Sequence, residues 1–303
     1  MRRLSILMAA ALALLLPLAA LAEVDSGFVE NQWNFVDESM DVAQGIPEDA
    51  NGALGRVRDA GVLRVATEPY YAPQEFIDPD LEGQAMYVGA DMELARLIAR
   101  RMGVELMIVP MEFSEVLNAV RDGWCDLAIS ALSYTPGRAS MVTMSKGYNY
   151  AGENVGSGLL IRAEDLEAIA AIEDLSGRDI VAQSGSLQES ILAENVFNYH
   201  EFRRIATMPE VYEAVAAGDA DAAMVDVEST MGYLESNPDC GLALVPGVRF
   251  QPEEQFDGDR VACKKGELQL MYFVNGVIDE VLASGQYRAW YSEFEARAAE
   301  LSL

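Results

Sequence analysis

Twice along this chain, short apolar runs alternate with amphipathic helical patterns, and that alternation restricts the fold more than any other feature. The first series starts near Asn51. "NGALGRVRDAG" reads as a short helix stopped by Gly61, and "VLRVAT" as a strand. "ADMELARLIARRMG" places Leu94, Leu97, Ile98 and Met102 on one stripe and stops at Gly103, the period of a helix with one apolar face. "VELMIV" follows as a strand, "FSEVLNAVRDG" as a helix and "CDLAISAL" as a strand. The second series runs through the strands "GSGLLIR" and "RDIVAQSG" and the helices "SLQESILAENV" and "MPEVYEAVAAGD". It continues with the strand "ADAAMVD", the helix "VESTMGYLESNP" and the strand "GLALVP". "DRVACKKG" then returns as a strand before two closing helices around "LQLMYFVNGVIDEVLASG" and "YRAWYSEFEARAAEL". Such alternation predicts α/β sheets covered by helices on both faces. The two series imply two lobes: 51–152 with 251–303 as lobe 1, and 153–250 as lobe 2. The chain crosses between them near Tyr148–Gly152 and Phe250–Asp257, two segments about which the lobes can rotate.

The remaining N-terminal sequence is of a different kind. Arg2 and Arg3, the apolar run Leu4 to Leu21 and the small-residue exit Ala20-Leu21-Ala22 make 1–22 a signal peptide, expected to be cleaved. Glu23 stands where a lipoprotein would need cysteine, so no lipid anchor is expected, and the mature protein is expected to be exported to the periplasm. Residues 23–50 form an acidic N-terminal arm or tether that also carries Phe28, Trp33 and Phe35. Without Arg2 and Arg3, 19 of the 21 basic residues face 49 acidic ones, a net charge of −30. So acidic a surface argues against nucleic acid or an anionic membrane as partner. Cys125, Cys240 and Cys263 are scattered without a C-x-x-C, which excludes the usual zinc spacing. Cys240 and Cys263 fall in different predicted lobes, so no disulfide is expected.

Three strand ends carry chemistry, because ligands of open α/β sheets sit where strands run into helices. In "SALSYTPGRASMVTMSKGY", Thr135 is a good N-cap and Pro136 suits the first helical position. Arg138 lies in that first turn, where the helix dipole disfavours a cation unless an anion is present. Its planar fork suits a carboxylate, either that of a ligand or of one of the many surface acids. In "AQSGSLQESI", Ser186 and Glu189 match a capping box, and the same N–H-rich helix start can meet an anion. In "ADAAMVDVES", Asp226 reads either as an N-cap or as a carboxylate aimed at an ammonium group. An arginine on one lobe and an aspartate on the other would together recognise a zwitterion.

These residues resemble the periplasmic amino-acid-binding proteins of ABC uptake systems, solute-binding protein family 3, from about Gly61 to Leu301. "LRVATEPYYAPQEF" is similar to the family's opening strand and pocket loop, and "YVGADMELARLIARRMGVEL" to its G-F-D-x-D-L-A helix. "DLAISALSYTPGRASMVTMSKGY" is similar to its D-L-I-I-S-G-L-T-x-T-P-E-R block, and "VAQSGS" and "ADAAMVD" fall in family order. The resemblance implies a two-lobed periplasmic-binding-protein fold (type II), each lobe a βα sheet sandwich, joined by two hinge crossings. It implies that Arg138 binds a ligand carboxylate and Asp226 its ammonium. Ser130, Ala131 and Ser133 would bind from the first lobe, and Gln183, Ser186 and Leu187 from the second. Tyr71 and Phe113 would sandwich the ligand side chain, and Glu68 would meet the far end of a long polar or cationic one. Ala131, Gly137, Ala90 and Met144 depart from the family pattern without touching the two charge anchors. The implied partners are a free amino acid, an ABC permease and its ATPase; the implied state is a monomer without cofactor or metal. Lysine, arginine or ornithine is favoured, with a neutral polar amino acid such as glutamine or a modified amino acid as alternatives.

Catalysis finds little support in the residues. His200 is the single histidine, so a Ser-His-Asp triad or an H-E-x-x-H site has nothing to build on, and no phosphate-binding G-x-x-x-x-G-K occurs. No catalytic residue is therefore assigned. The alternatives to a binding protein are an enzyme on the same fold, such as a cyclohexadienyl dehydratase-like lyase, and a ligand-sensing module.

Overall fold

A computed structural model describes residues 52–150 and 156–303. The expectations for 1–22 and 23–50 lie outside the described residues, as does part of the first crossing. The strands assemble into two five-stranded sheets and one small three-stranded sheet. In the first sheet the order is Glu105–Pro110, Val62–Thr67, Leu127–Ser133, Asp259–Lys264, Val142–Met144. Its first three strands are parallel, and the returning strand Asp259–Lys264 inserts antiparallel beside them. The second sheet runs Glu201–Ile205, Asp179–Gln183, Ala222–Asp226, Ser157–Arg162, Leu242–Phe250, again three parallel strands followed by an antiparallel neighbour. The two lobes are thus one architecture built twice.

Local sequence explains most of these elements. The helix Ala90–Met102 buries Leu94 and Ile98 completely and Leu97 and Met102 nearly so. Each such side chain contributes at most about 1.5–3 kcal/mol. The helix ends at Gly103 in the left-handed conformation, as its glycine stop predicts. Five strands escaped the sequence reading. "EFRRI" at Glu201–Ile205 is a charged edge strand, Val142–Met144 is only three residues long, and the small sheet pairs Tyr70–Tyr71, Glu75–Ile77 and Tyr87–Val88. None offers a long apolar run. The strand read as "GLALVP" extends to Phe250, with a register break between Leu244 and Arg249 where Pro246 offers no N–H to the ladder. The three cysteines are free.

The described segments that flank the two crossings run side by side. Ser157 pairs with Phe250 on the second lobe, and Asp259 N donates to the Asn149 carbonyl at 3.0 Å on the first. Gly89 carries the fold's tightest backbone approach. Its φ is +124°, and a Cβ there would lie 2.1 Å from the Gln74 carbonyl oxygen. That approach lets the next two amides, Ala90 N and Asp91 N, bond the carbonyls of Pro73 and Gln74 and so dock the small sheet onto the helix. Gly89→Ala combines a backbone clash with a forbidden φ, and is expected to destabilise the protein by about 3–5 kcal/mol. A denaturant midpoint equal to wild type would show that the approach is not required.

Candidate functional site

The carboxyl ends of both sheets face a cleft of about 900 Å³ with its open mouth included. Ten of the predicted residues line it: Tyr71, Phe113, Ser130, Ala131 and Ser133 with Arg138 from the first lobe, Gln183, Ser186, Leu187 and Asp226 from the second. Glu68 does not. It is 1% exposed and sits behind the wall, with its backbone N donating to Ser130 Oγ at 3.0 Å. Glu68 thus stands apart from the ten predicted residues that line the cleft. The preceding strand carries the residue one layer too deep, under Ser130.

Arg138 answers its two readings clearly. Thr135 Oγ1 accepts from Arg138 N at 3.1 Å, the predicted cap. The guanidinium is buried, donates to the carbonyls of Ser133 (2.8 Å) and Gly185 (3.0 Å), and lies 5.5 Å from the Phe113 ring centroid. Among the described residues no carboxylate pairs with it. Burial lowers its pKa to about 10, with the field of Asp259 opposing, so it stays charged at neutral pH.

Asp226 caps its helix, the first of its two readings, and does so on the wall of the cleft. Its Oδ1 accepts from Ser229 N at 3.0 Å and Ser229 Oγ at 3.2 Å, capping the helix Val227–Ser236 at the edge of the cleft. Burial pushes its carboxyl above the ordinary range, and the Ser229 amide and hydroxyl pull the other way. Ser186 Oγ accepts from Glu189 N at 3.0 Å as the capping box requires. The reciprocal bond shifts by one residue: Glu189 Oε2 accepts from Gly185 N at 2.7 Å.

The lobes touch across the cleft. Besides the bond from Arg138 to Gly185, the Tyr71 hydroxyl and Ser229 Oγ are hydrogen-bonded at 3.1 Å, with Ser229 Oγ accepting while its own proton goes to Asp226. A Cβ on Gly185, where φ is +76°, would lie 2.9 Å from Ser114 Cα.

Sequence reasoning missed several wall residues. Glu228, Asp257 and Asp259 line the cleft, as do Tyr134 and Phe256, whose rings stack at 5.1 Å. Asp259 opens a strand, a position that usually lies far from a site. It reaches the cleft because its strand is antiparallel, pairing Asp259 with Ser133 at the ends of the parallel neighbours. Asn149 Nδ2 donates to Asp259 Oδ2 at 2.9 Å, yet burial and then the Asp91 charge hold Asp259 well above the usual carboxylate range. The described wall thus carries four carboxylates, Asp226, Glu228, Asp257 and Asp259, against the single cation Arg138. Behind it lie Glu68, Glu75 and Asp91, all at most 1% exposed. Neither Glu68 oxygen makes a hydrogen bond of ordinary geometry. Burial raises its pKa to about 7, with Gln183 favouring the ionised form. Among the described residues no cluster suits a metal ion.

Two similar lobes, paired crossings and a cleft with charged anchors on facing strand ends define a two-lobed α/β ligand-binding protein rather than a rigid scaffold. The chain belongs to family 3 of the bacterial extracellular solute-binding proteins, whose family model matches residues 63–296. It is similar to the arginine-binding extracellular protein ArtP of Bacillus subtilis (strain 168), 25% identical over 228 residues, spanning 74% of this chain and 82% of that one. It is also similar to the lysine/arginine/ornithine-binding periplasmic protein of Escherichia coli (strain K12), 27% identical over 228 residues, with 74% and 84% covered. Among solved structures it matches an amino acid ABC transporter substrate-binding protein, AbpA from Streptococcus pneumoniae, bound to L-arginine. The TM-score is 0.72 and the identity 30%, covering 81% of this chain and 98% of that one. No helix among the described residues is long and apolar enough to cross a membrane.

Proposed function

We propose that the protein captures a free amino acid with a cationic side chain between its lobes and delivers it to an ABC permease. The observation that carries this reading is the buried, acid-free guanidinium of Arg138 set among four wall carboxylates. A carboxylate ligand supplies the missing anion to Arg138. The ligand's ammonium meets Asp226, and a cationic side chain offsets the remaining negative wall, since buried like charges are costly until compensated. Tyr71 and Phe113 add aromatic faces for that cation. The arginine-binding relatives support the same choice. Residues 1–22 would direct export, the chain would act as a monomer, and rotation about the two crossings would close the cleft. Binding without turnover is the activity, so the ligand is released unchanged.

Thermal unfolding with L-arginine, L-lysine and L-glutamine tests the ligand class. At a hundredfold excess over Kd, a ligand adds about 2.7 kcal/mol, which raises Tm by roughly 5–10 °C for a chain of this size. L-arginine or L-lysine is expected to give that shift and L-glutamine a smaller one. A larger shift with glutamine, or chemical conversion of the ligand, overturns the reading.

A further inference from the structure

The strand Leu127–Ser133 changes character where it reaches the cleft. Its pairing with Asp259–Lys264 runs Leu127 with Cys263 and Ala128 with Ala262, then resumes at Leu132 with Arg260. Val261 therefore faces three residues, Ile129 to Ala131, and its own N–H turns away to Ser145 Oγ at 2.8 Å. This is a bulge, a device that re-aims backbone beside binding sites. Within it Ala131 has φ +43°, one of only two described non-glycine residues in the left-handed region. An alanine there is strained, where glycine would not be. Leaving the ladder also frees the Ala131 N–H. It donates instead to Asp91 Oδ2 at 2.9 Å.

Asp91 is fully buried and saturated by donors from three elements. The same Oδ2 accepts from the Tyr148 hydroxyl at 2.8 Å, just before the first crossing, and Oδ1 accepts from the Tyr287 hydroxyl at 2.6 Å, on the closing helix. Asp91 itself is anchored by its own N–H to the Gln74 carbonyl at 2.9 Å. So many constraints leave its carboxylate little freedom, which makes it a firm post for a strained neighbour.

We propose that Asp91 is a positioning residue for ligand binding: its Oδ2 holds Ala131 in the left-handed conformation that presents residues 130–131 to the cleft. The inference rests on that cleft being the amino-acid site. Without this acceptor the Ala131 N–H is orphaned and the strain unopposed, so the backbone relaxes toward an extended strand and the wall loses its shape. A glycine at 131 reaches the same conformation without help.

The test is a double-mutant cycle read by calorimetry with L-arginine, alongside denaturant unfolding. Asp91→Ala is expected to lower affinity by on the order of tenfold to a hundredfold. In an Ala131→Gly background the same change should cost several-fold less affinity. Its unfolding midpoint should stay depressed there, because both tyrosine hydroxyls still lack their acceptor. Asp91→Asn, which keeps an oxygen for Ala131 and offers its amide to Tyr287, should lose much less than Asp91→Ala. Equal affinity losses in both backgrounds, or equal losses for Asn and Ala, overturn the proposal. Asp91→Ser, too short to reach residue 131, replaces Asp91→Ala if the latter does not fold. If wild type fails to bind L-arginine, the cationic-ligand reading falls, and amide exchange at residue 131 in the ligand-free protein decides the present one. Exchange at least about tenfold faster in Asp91→Ser than in wild type is expected; an unchanged rate refutes it.

Discussion

Arg138→Ala and Asp226→Asn are each expected to weaken L-arginine binding by on the order of 10²–10³-fold. Each removes one member of a buried charge pair formed with the ligand, a loss of about 3–5 kcal/mol. The two variants isolate charge differently. Arg138→Ala deletes the only cation of the described wall together with its bond to the Gly185 carbonyl across the cleft. Asp226→Asn keeps an oxygen for Ser229 N, and asparagine caps helices as well as aspartate does. A stability loss from uncapping is thereby avoided, and any affinity loss belongs to the charge. Titration calorimetry measures both. Affinity within about threefold of wild type in either variant would remove that residue from the anchor pair.

Glu68→Gln should stabilise the ligand-free protein at alkaline pH. The carboxyl is buried without an ordinary hydrogen bond, and its pKa rises from 4.5 to about 7 on folding. Below about pH 4 it is protonated folded or unfolded, and contributes no difference. Between there and about 7 the folded state retains a proton that the unfolded chain has lost, so stability falls as pH rises. Above about 7 nearly the whole penalty is present, on the order of 3 kcal/mol. Glutamine, an uncharged isostere, removes it. Wild type and variant should therefore unfold at similar denaturant concentrations near pH 4.5 and diverge by pH 8, with the variant more stable. Burial raises Glu75 and Asp259 as well, but both are unchanged in Glu68→Gln, so the comparison isolates Glu68. A cationic ligand favours ionised Glu68 through space, so L-arginine affinity should rise between pH 6 and 8 in wild type and less in Glu68→Gln. Parallel pH profiles for the two proteins would show that Glu68 does not titrate in this range.

How the site was legible follows from where its signals lie along the chain. Arg138, Asp226 and Ser186 stand at strand-to-helix junctions, where capping residues and the helix dipole make local rules informative. The structure places all three on the cleft and shows the caps at Thr135, Ser186 and Asp226. Glu68 also stands at a strand end, yet local rules cannot tell a residue on a wall from one behind it. Depth depends on what packs in front, here Ser130 from a strand 62 residues away. Asp91 shows the same limit. In sequence it is simply an acid in the first turn of a helix, and its grip on Ala131 spans 40 residues.

The sequence by itself determined most of the helices and longer strands and their arrangement in two series, because apolar periodicity, glycine stops and caps act within a few residues. It also singled out Arg138 and Asp226, which the structure places on the cleft, since each sits where a short motif already implies an unsatisfied helix end. Only the tertiary structure decided which acids reach the cleft, which lie beneath it, and that Asp259 joins them by antiparallel pairing with Ser133. It alone decided that no acid among the described residues pairs with Arg138 and that Ala131 is bent into the left-handed region. Those outcomes depend on contacts between residues distant in sequence, and the electrostatic cost of a buried carboxylate exists only once the fold has taken water away.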